Sequence, residues 1–396
     1  MTYAADSKSE TNAFLKWCYR MGLRVDRLVL NGIDTSYISL PDHSWRLAYT
    51  NAMVGIRSTY TEENWYIAGM HLGNISLHQR TTPSINLGFH AGYRGLGFGY
   101  SWDAMHAYSQ NWNISLGSKS IGVEFKRQRS SNISGDVSIK DVSMSYKDIE
   151  ENEGRSLKNS IVTTSLDVWY ALNAAHYSHN AAVKQSYIQR KSAGSLLLQF
   201  NYKSIEVNLD STLRHVTNNV IGVETHQVGV GLGYGINYTP NHGKVLLHFS
   251  GIAQLVCFSH NLLTHVDTMN VHLAGMDTSI VYDGLYRVAS RYPVHVAGTM
   301  RAAVSYEINE WVHLTTWAQV SNARFMAQAE EASVRLSNWN WQVNLHVGVR
   351  LGVGKKRVVQ ALGQEEYDLL TKLPEPSDRV AKLPRWLTDW FFSPRL

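Results

Sequence analysis

Cysteine is almost missing from this chain of 396 residues, which holds only Cys18 and Cys257, together with eight prolines. Two thiols supply neither a disulfide framework nor a zinc cluster. Charge is scarce too, at 17% of residues, below the roughly 25% of an ordinary soluble domain. The balance of 37 Lys+Arg against 32 Asp+Glu leaves a formal charge of +5, mild and dispersed, with no basic stripe that would suit nucleic acid. Long apolar runs are missing as well. The least polar stretch, Val245 to Val266, contains His248, Ser250, Gln254, Asn261 and His265, which excludes a transmembrane helix. The start, Met-Thr-Tyr-Ala-Ala-Asp-Ser-Lys, has no apolar core of the kind a signal peptide needs. Either the protein stays inside the cell, or its leader has been removed or truncated.

What is abundant points to strands. The chain has 12 Trp, 21 Tyr and 29 Gly, and between Gly-rich turns its apolar residues alternate with period two. From Val228 one face carries Val228, Val230, Leu232, Tyr234, Ile236 and Tyr238, and the other carries Gly229, Gly231, Gly233, Gly235 and Asn237. From Trp339 the apolar face runs through Trp341, Val343, Leu345, Val347, Val349 and Leu351. Similar segments occur at 85–93, 96–102, 112–116, 121–125, 162–172, 196–202, 245–257, 294–308 and 312–320. In each of them formal charge is confined to the opposite face.

Alternation alone does not separate a soluble barrel, apolar inside, from a membrane barrel, apolar outside. A Gly-only face turned to water would weaken a strand and shield nothing, whereas glycines facing a crowded lumen leave room for neighbouring side chains. Trp45, Tyr49, Tyr100, Trp102, Tyr238, Trp339 and Trp341 near strand ends fit aromatic girdles. The expected fold is all-β: an antiparallel up-and-down transmembrane β-barrel of twelve strands, with fourteen as runner-up and Trp45 to Ile56 the least certain strand. Tight turns lie at 94–95, 117–118, 239–243 and 309–310, and long loops at 129–159, 205–225, 258–292 and 324–338. Tight turns on the periplasmic side place those long loops outside. The domains expected are an N-terminal segment at 1–43, the barrel at 44–352 and a periplasmic tail at 353–396.

One connection breaks the pattern. Asn173 to Ser192 falls on the tight-turn side, where a short turn is expected. It reads as an ordered plug or turn extension, or as a periplasmic docking loop through Gln189, Arg190, Lys191, Ser192 and Gly194. Before the barrel, Phe14, Cys18, Met21, Val25 and Leu28 face one side, with Lys16, Arg20, Arg24 and Arg27 on the other. That pattern is a short basic amphipathic helix, packed against the barrel rim, bound to a partner or lying on an anionic leaflet. After the barrel, the tail ends in Trp386, Trp390, Phe391 and Phe392.

The residues expected to line the lumen are His90, Glu124, Lys126, Asp167, His248, His295, Arg301, Glu307, His346 and Arg350. Charges of both signs there, Glu124 with Lys126 and Arg301 with Glu307, predict cross-lumen salt bridges rather than a selective ring. Ser84, Ser250 and Ser305 are conceivable nucleophiles, but no nucleophile elbow or His-Glu-x-x-His motif occurs. No catalytic, cofactor-binding or metal residue is assigned, and no cofactor is expected. His176 and His179 are three apart without a third ligand in view.

Three segments carry a family likeness: Gly32 to Ile38, followed by Pro41 and Trp45; Gly92 to Tyr100; and Tyr177-Ser178 with Gln189 to Ser195. Over roughly residues 12 to 352 the chain resembles an uncharacterised domain-of-unknown-function family of Bacteroidota outer-membrane β-barrel proteins. The resemblance implies an exported barrel in a Gram-negative outer membrane, with the lipid bilayer as its partner and no nucleic acid. It carries no functional residue. The function expected is therefore a structural or interaction component of the envelope, in contact with a periplasmic or outer-membrane protein. A narrow solute channel is second, and a barrel-embedded lipid-modifying enzyme or protease third.

Overall fold

The computed structural model describes residues 3–372 apart from short internal stretches, of which 54–66 is the longest. The aromatic end of the tail lies outside the described residues. Thirteen strands form one antiparallel sheet. In chain order they are β1 (Trp45–Met53), β2 (Asn86–Tyr93), β3 (Leu96–Asp103), β4 (Ser109–Gly117), β5 (Ile121–Ser130), β6 (Ser160–Ala171) and β7 (Ala193–Asn208). They continue with β8 (Val220–Tyr238), β9 (Val245–His272), β10 (Ser279–Arg291), β11 (His295–Glu307), β12 (Val312–Gln328) and β13 (Ser333–Leu351).

Neighbours in sequence pair in space from β2 to β9, and β1 pairs with both β2 and β13. Through β12 and β11 the sheet returns to β9, which pairs with β8 as well, so the sheet curls back on itself and has no open edge there. Closure leaves no free ladder of N–H and C=O groups along the wall. Strand β10 pairs with the outer half of β9, from His260 to His272, on the edge that β11 occupies along the inner half and in the same register, so β10 and β11 hold one place in the wall.

The surface is inverted relative to a soluble protein. Phe200, Val230, Leu232, Phe249, Val296, Met300 and Trp341 point outward and are exposed, while Ser195, Gln227, Ser250, Ser305, Thr315 and Asn344 on the other face are buried. Outward aromatics lie near both ends of the wall, with Tyr170, Tyr238, Tyr306 and Trp311 at the tight turns and Trp102, Trp339 and Trp341 towards the far end. An apolar exterior between two aromatic belts is what a bilayer selects. No described helix is long and apolar enough to cross a membrane.

Several stretches read as loops are ordered. The 129–159 connection contains strands Ile133–Ile139 and Val142–Ser145 and helix α2 (Tyr146–Glu153), which follows α1 (Tyr3–Leu30) in the chain. The two strands join Ile67–Gly69 and Gly73–Thr81 in a separate four-stranded sheet. Strands β8, β9, β12 and β13 also run on through 220–227, 258–272, 324–328 and 333–338. The period-two signal disappears there because a strand outside the apolar band has no face that must be apolar, whereas its hydrogen-bond ladder continues unchanged.

At the other end the N-terminal helix is longer than its pattern suggested. It spans Tyr3–Leu30, and is α1 in this numbering. Its Phe14 and Met21 are exposed rather than packed on the rim, while Leu23 is buried. Arg20 Nε donates to Glu366 Oε1 at 2.6 Å on α5 (Gln364–Thr371), which follows α3 (His179–Val183) and α4 (Lys355–Leu362) in the chain.

Candidate functional site

The irregular connection turns into the barrel. Its start is fixed by Asn173, whose backbone N–H donates to Ser195 Oγ at 3.0 Å and whose Nδ2 donates to the Gly194 carbonyl at 2.9 Å. Ser178 then caps α3, accepting the Ala181 N–H at 3.2 Å, as an N-cap serine should. Tyr177, Ala181 and Ala182 are completely buried. Ala181, Ala182 and Tyr187 pack with Ile33 and Ile38 against Leu246 of β9, Ala303 of β11 and Trp317 of β12. Two glycines make space for this: a Cβ on Gly235 would collide with the Tyr177 ring, and one on Gly117 with the Asn180 amide.

Polar contacts hold the same segment to strands around the lumen. Gln185 Nε2 donates to Ser305 Oγ, and Asn237 Nδ2 donates to the Ser178 carbonyl at 2.9 Å. Gln189 Oε1 accepts from Ser178 N–H at 3.1 Å and from Asn237 Nδ2 at 3.0 Å, and its Nε2 donates to the His176 carbonyl at 2.6 Å. Residues before the barrel join in, as Ile38–Ser39 pairs with Ile188–Gln189 in a two-stranded ladder. Ile33 and Ile38 of this stretch are thus buried against barrel residues, while Thr35 and Ser36 between them stay exposed.

This geometry changes the reading of the docking loop. Gln189 and Gly194 are buried and take structural parts, and Ser192 Oγ accepts the Thr239 N–H at 3.0 Å. Arg190 and Lys191 are exposed but engaged: Arg190 Nε donates to Ser39 Oγ at 2.8 Å, and Lys191 Nζ donates to Ser36 Oγ at 3.2 Å. Asp34 accepts the Ser36 N–H at 2.9 Å and lies 3.5 Å from His176 Nε2. Partial burial pushes the Asp34 carboxyl up, but the Ser36 hydrogen bonds and the nearby His176 and Lys191 outweigh it, so its pKa is lowered.

Beyond this plug lies a cavity of about 190 Å³. Its lining includes His90, Glu124, Lys126, Asp167, Arg301 and His346, together with Trp169 and Trp317. Glu124 bonds Lys126 at 3.1 Å and faces plug residue Lys184 at 4.0 Å. Asp167, its cross-strand neighbour, accepts from Gln199 Nε2 at 2.8 Å and Asn201 Nδ2 at 2.6 Å. Arg301 does not reach Glu307. It donates to Gln319 Oε1 at 3.1 and 2.5 Å, and its guanidinium stands 5.4 Å from the Trp317 ring centre. Trp317 Nε1 donates to His346 Nε2 at 2.8 Å.

The remaining predicted lumen residues lie elsewhere. Glu307 pairs with Arg350 at 2.6 Å, two strands away at the tight-turn end. The Arg301–Glu307 bridge fails because alternate residues on one strand share a face but move steadily along the barrel axis, so six positions separate their depths. His248 sits behind the cavity wall, buried beside the plug, and His295 begins β11 at the far end. His176 stacks near Tyr37, and His179 lies among Tyr177, Trp169 and His248. Among the described residues no three metal-ligating side chains converge.

Sequence reading missed Tyr177, His179, Lys184, Gln185 and Asn237 as members of the site. The signal for Asn237 was present: it ends a face otherwise made of Gly229, Gly231, Gly233 and Gly235. A polar side chain closing a glycine row has something to reach for, namely the plug.

The family model of a domain of unknown function, DUF4421, matches residues 33–351. The chain belongs to this family. The matched range begins at the stretch that holds the short Ile38–Ser39 strand and ends with β13, so it contains both the barrel wall and what fills it. The segments that carried the likeness in sequence, Gly32 to Ile38, Tyr177-Ser178 and Gln189 to Ser195, meet in the plug. No curated protein matches the sequence. Among solved structures, the chain is similar to outer membrane protease OmpT from Escherichia coli, with a TM-score of 0.34 and 9% identity over 78% of this chain and 97% of that one. It is also similar to OprG from Pseudomonas aeruginosa, with a TM-score of 0.29 and 7% identity over 80% and 99%. A loop-deletion mutant of OmpT from Vibrio cholerae has a TM-score of 0.25 and 5% identity over 72% and 79%.

Proposed function

We propose that this DUF4421 protein is an outer-membrane β-barrel closed at its periplasmic end, serving as a structural or interaction component of the envelope rather than a through-channel. Twelve strands form the wall, with β10 and β11 in line along one edge of β9 and counted as one. The observation that carries the reading is the plug: Tyr177, Ala181 and Ala182 are fully buried inside the ring, at the end from which both chain termini leave. A segment packed this tightly in its lumen obstructs flow. With the tight turns in the periplasm, the exposed Arg190–Lys191 edge and the α1–α5 pair form the face that a periplasmic protein meets.

The test is single-channel recording of the refolded full chain in a planar bilayer, once heat-modifiable migration has established that it is folded. The expected result is a silent barrel, with discrete current steps appearing on deletion of residues 176–188. Steps of equal size in wild type would overturn the closed reading in favour of a narrow solute channel, whose lining would be the charged cavity around Glu124, Lys126 and Arg301.

A further inference from the structure

We propose that Ser250 is a nucleophile activated by His248, with Asn237 as positioning residue, and that the chamber hydrolyses small carboxylic esters. The proposal goes beyond the closed-barrel reading and needs only the lumen geometry, since a silent barrel and an esterase chamber are compatible.

Three observations carry it. First, His248 and Ser250 are two apart on β9, so both side chains point into the barrel, and His248 Nε2 lies 3.1 Å from Ser250 Oγ. Second, His248 Nδ1 lies 2.8 Å from Asn237 Oδ1 on β8. The orientation of that amide is fixed independently, because Asn237 Nδ2 donates to the Ser178 carbonyl and to Gln189 Oε1. Its oxygen is therefore the atom turned to His248. The imidazole must donate from Nδ1, which leaves the Nε2 lone pair facing the serine hydroxyl. A nucleophile, a base and a group that sets the base's tautomer are what acyl transfer requires. Third, Ser250 lines the cavity while His248 is buried behind it, under Tyr177 and His179 of the plug.

The cavity narrows the substrate class. About 190 Å³ admits a small ester. Arg301 is the cross-strand partner of Ser250 and lines the same cavity with Lys126, which favours an acyl group bearing a carboxylate. In the reaction Ser250 Oγ bonds the acyl carbon and its proton passes to His248 Nε2. The ester C–O bond breaks and the alcohol leaves with that proton. Water then attacks the acyl-serine, giving its proton to His248, and the acid departs as Ser250 regains its hydrogen.

The experiment uses the full chain, refolded and shown to be heat-modifiable. It is treated with diisopropyl fluorophosphate and mapped by peptide mass, in parallel with turnover of 4-nitrophenyl succinate and 4-nitrophenyl acetate. Expected are one adduct on Ser250, none in Ser250→Ala, unchanged labelling in the lumen control Ser305→Ala, and labelling at least about a hundredfold slower in His248→Gln. Asn237→Ala should slow labelling and Asn237→Asp, which keeps the acceptor, should recover it. The succinate ester should turn over faster than the acetate, and Arg301→Ala should erase that preference. Folded wild type that takes no label overturns the proposal, as does label that survives Ser250→Ala or folded His248→Gln that reacts at the wild-type rate. Ser250→Ala removes only a hydroxyl, so the test stands even where His248→Gln does not fold.

Discussion

Glu124 is the carboxylate on which the chamber's charge balance depends. It is buried between Lys126 and Lys184, beside a second carboxylate at Asp167. Removing one member of a buried charge cluster leaves the others uncompensated, at a cost of about 3–5 kcal/mol. Glu124→Gln is therefore expected to lower the urea midpoint of the refolded barrel markedly. Glu151→Gln, which breaks the exposed Lys147–Glu151 pair of α2, should change stability by less than about 1 kcal/mol. Asp34 makes a pH prediction at the same scale. Because its folded pKa is lowered, its contribution is complete above the ordinary value of 3.8 and fades as pH falls through the lower folded value. Protection of the Ser36 amide, its exchange relative to the intrinsic rate at each pH, should fall over that acid window, and Asp34→Asn should remove that change in protection. The residue types in the lumen were legible in sequence, since charge was sorted by face. Their partners were not, as Arg301 and Gln319, or Glu307 and Arg350, come together only when strands are placed at matching depth.

The plug is the element that decides whether the lumen is open. It is held by shape as well as by hydrogen bonds, since the Tyr177 ring lies where a side chain at position 235 would project. Gly235→Val should dislodge the ring while leaving the β7–β8–β9 ladder intact. The expected outcome is faster proteolysis between residues 173 and 192, with current steps in a bilayer and unchanged heat-modifiable migration. A silent, protease-resistant variant would show that the plug is held by its polar contacts alone. Tight turns and lipid-facing segments were readable because each obeys a local rule of period or backbone freedom. The plug obeys none: its 173–192 stretch has mixed polarity, and its burial depends on residues from β8, β9, β11 and β12 that lie far away in sequence. Strand β1, the least certain from its sequence, forms because β2 and β13 present free edges on either side of it.

For the whole molecule, the apolar exterior makes opposite predictions for water and lipid surroundings. Val230 is 50% exposed in the middle of β8. On a soluble surface Val230→Arg would be nearly neutral, within about 0.5 kcal/mol. In a bilayer it should cost about 2–4 kcal/mol, read as a lower midpoint for folding into vesicles. A neutral result in vesicles would overturn the membrane reading. Alternation and composition alone establish that the wall is β, that its two faces differ, and that charge belongs to one of them, because period two and face sorting are local properties of each strand. The assembled fold was needed to see the apolar face point outward over a closed ring. It also decided that the odd connection fills the lumen, and that Asn237, His248 and Ser250 line up beside it. These facts depend on which strands meet, at what register and around what interior, and no single segment contains that information.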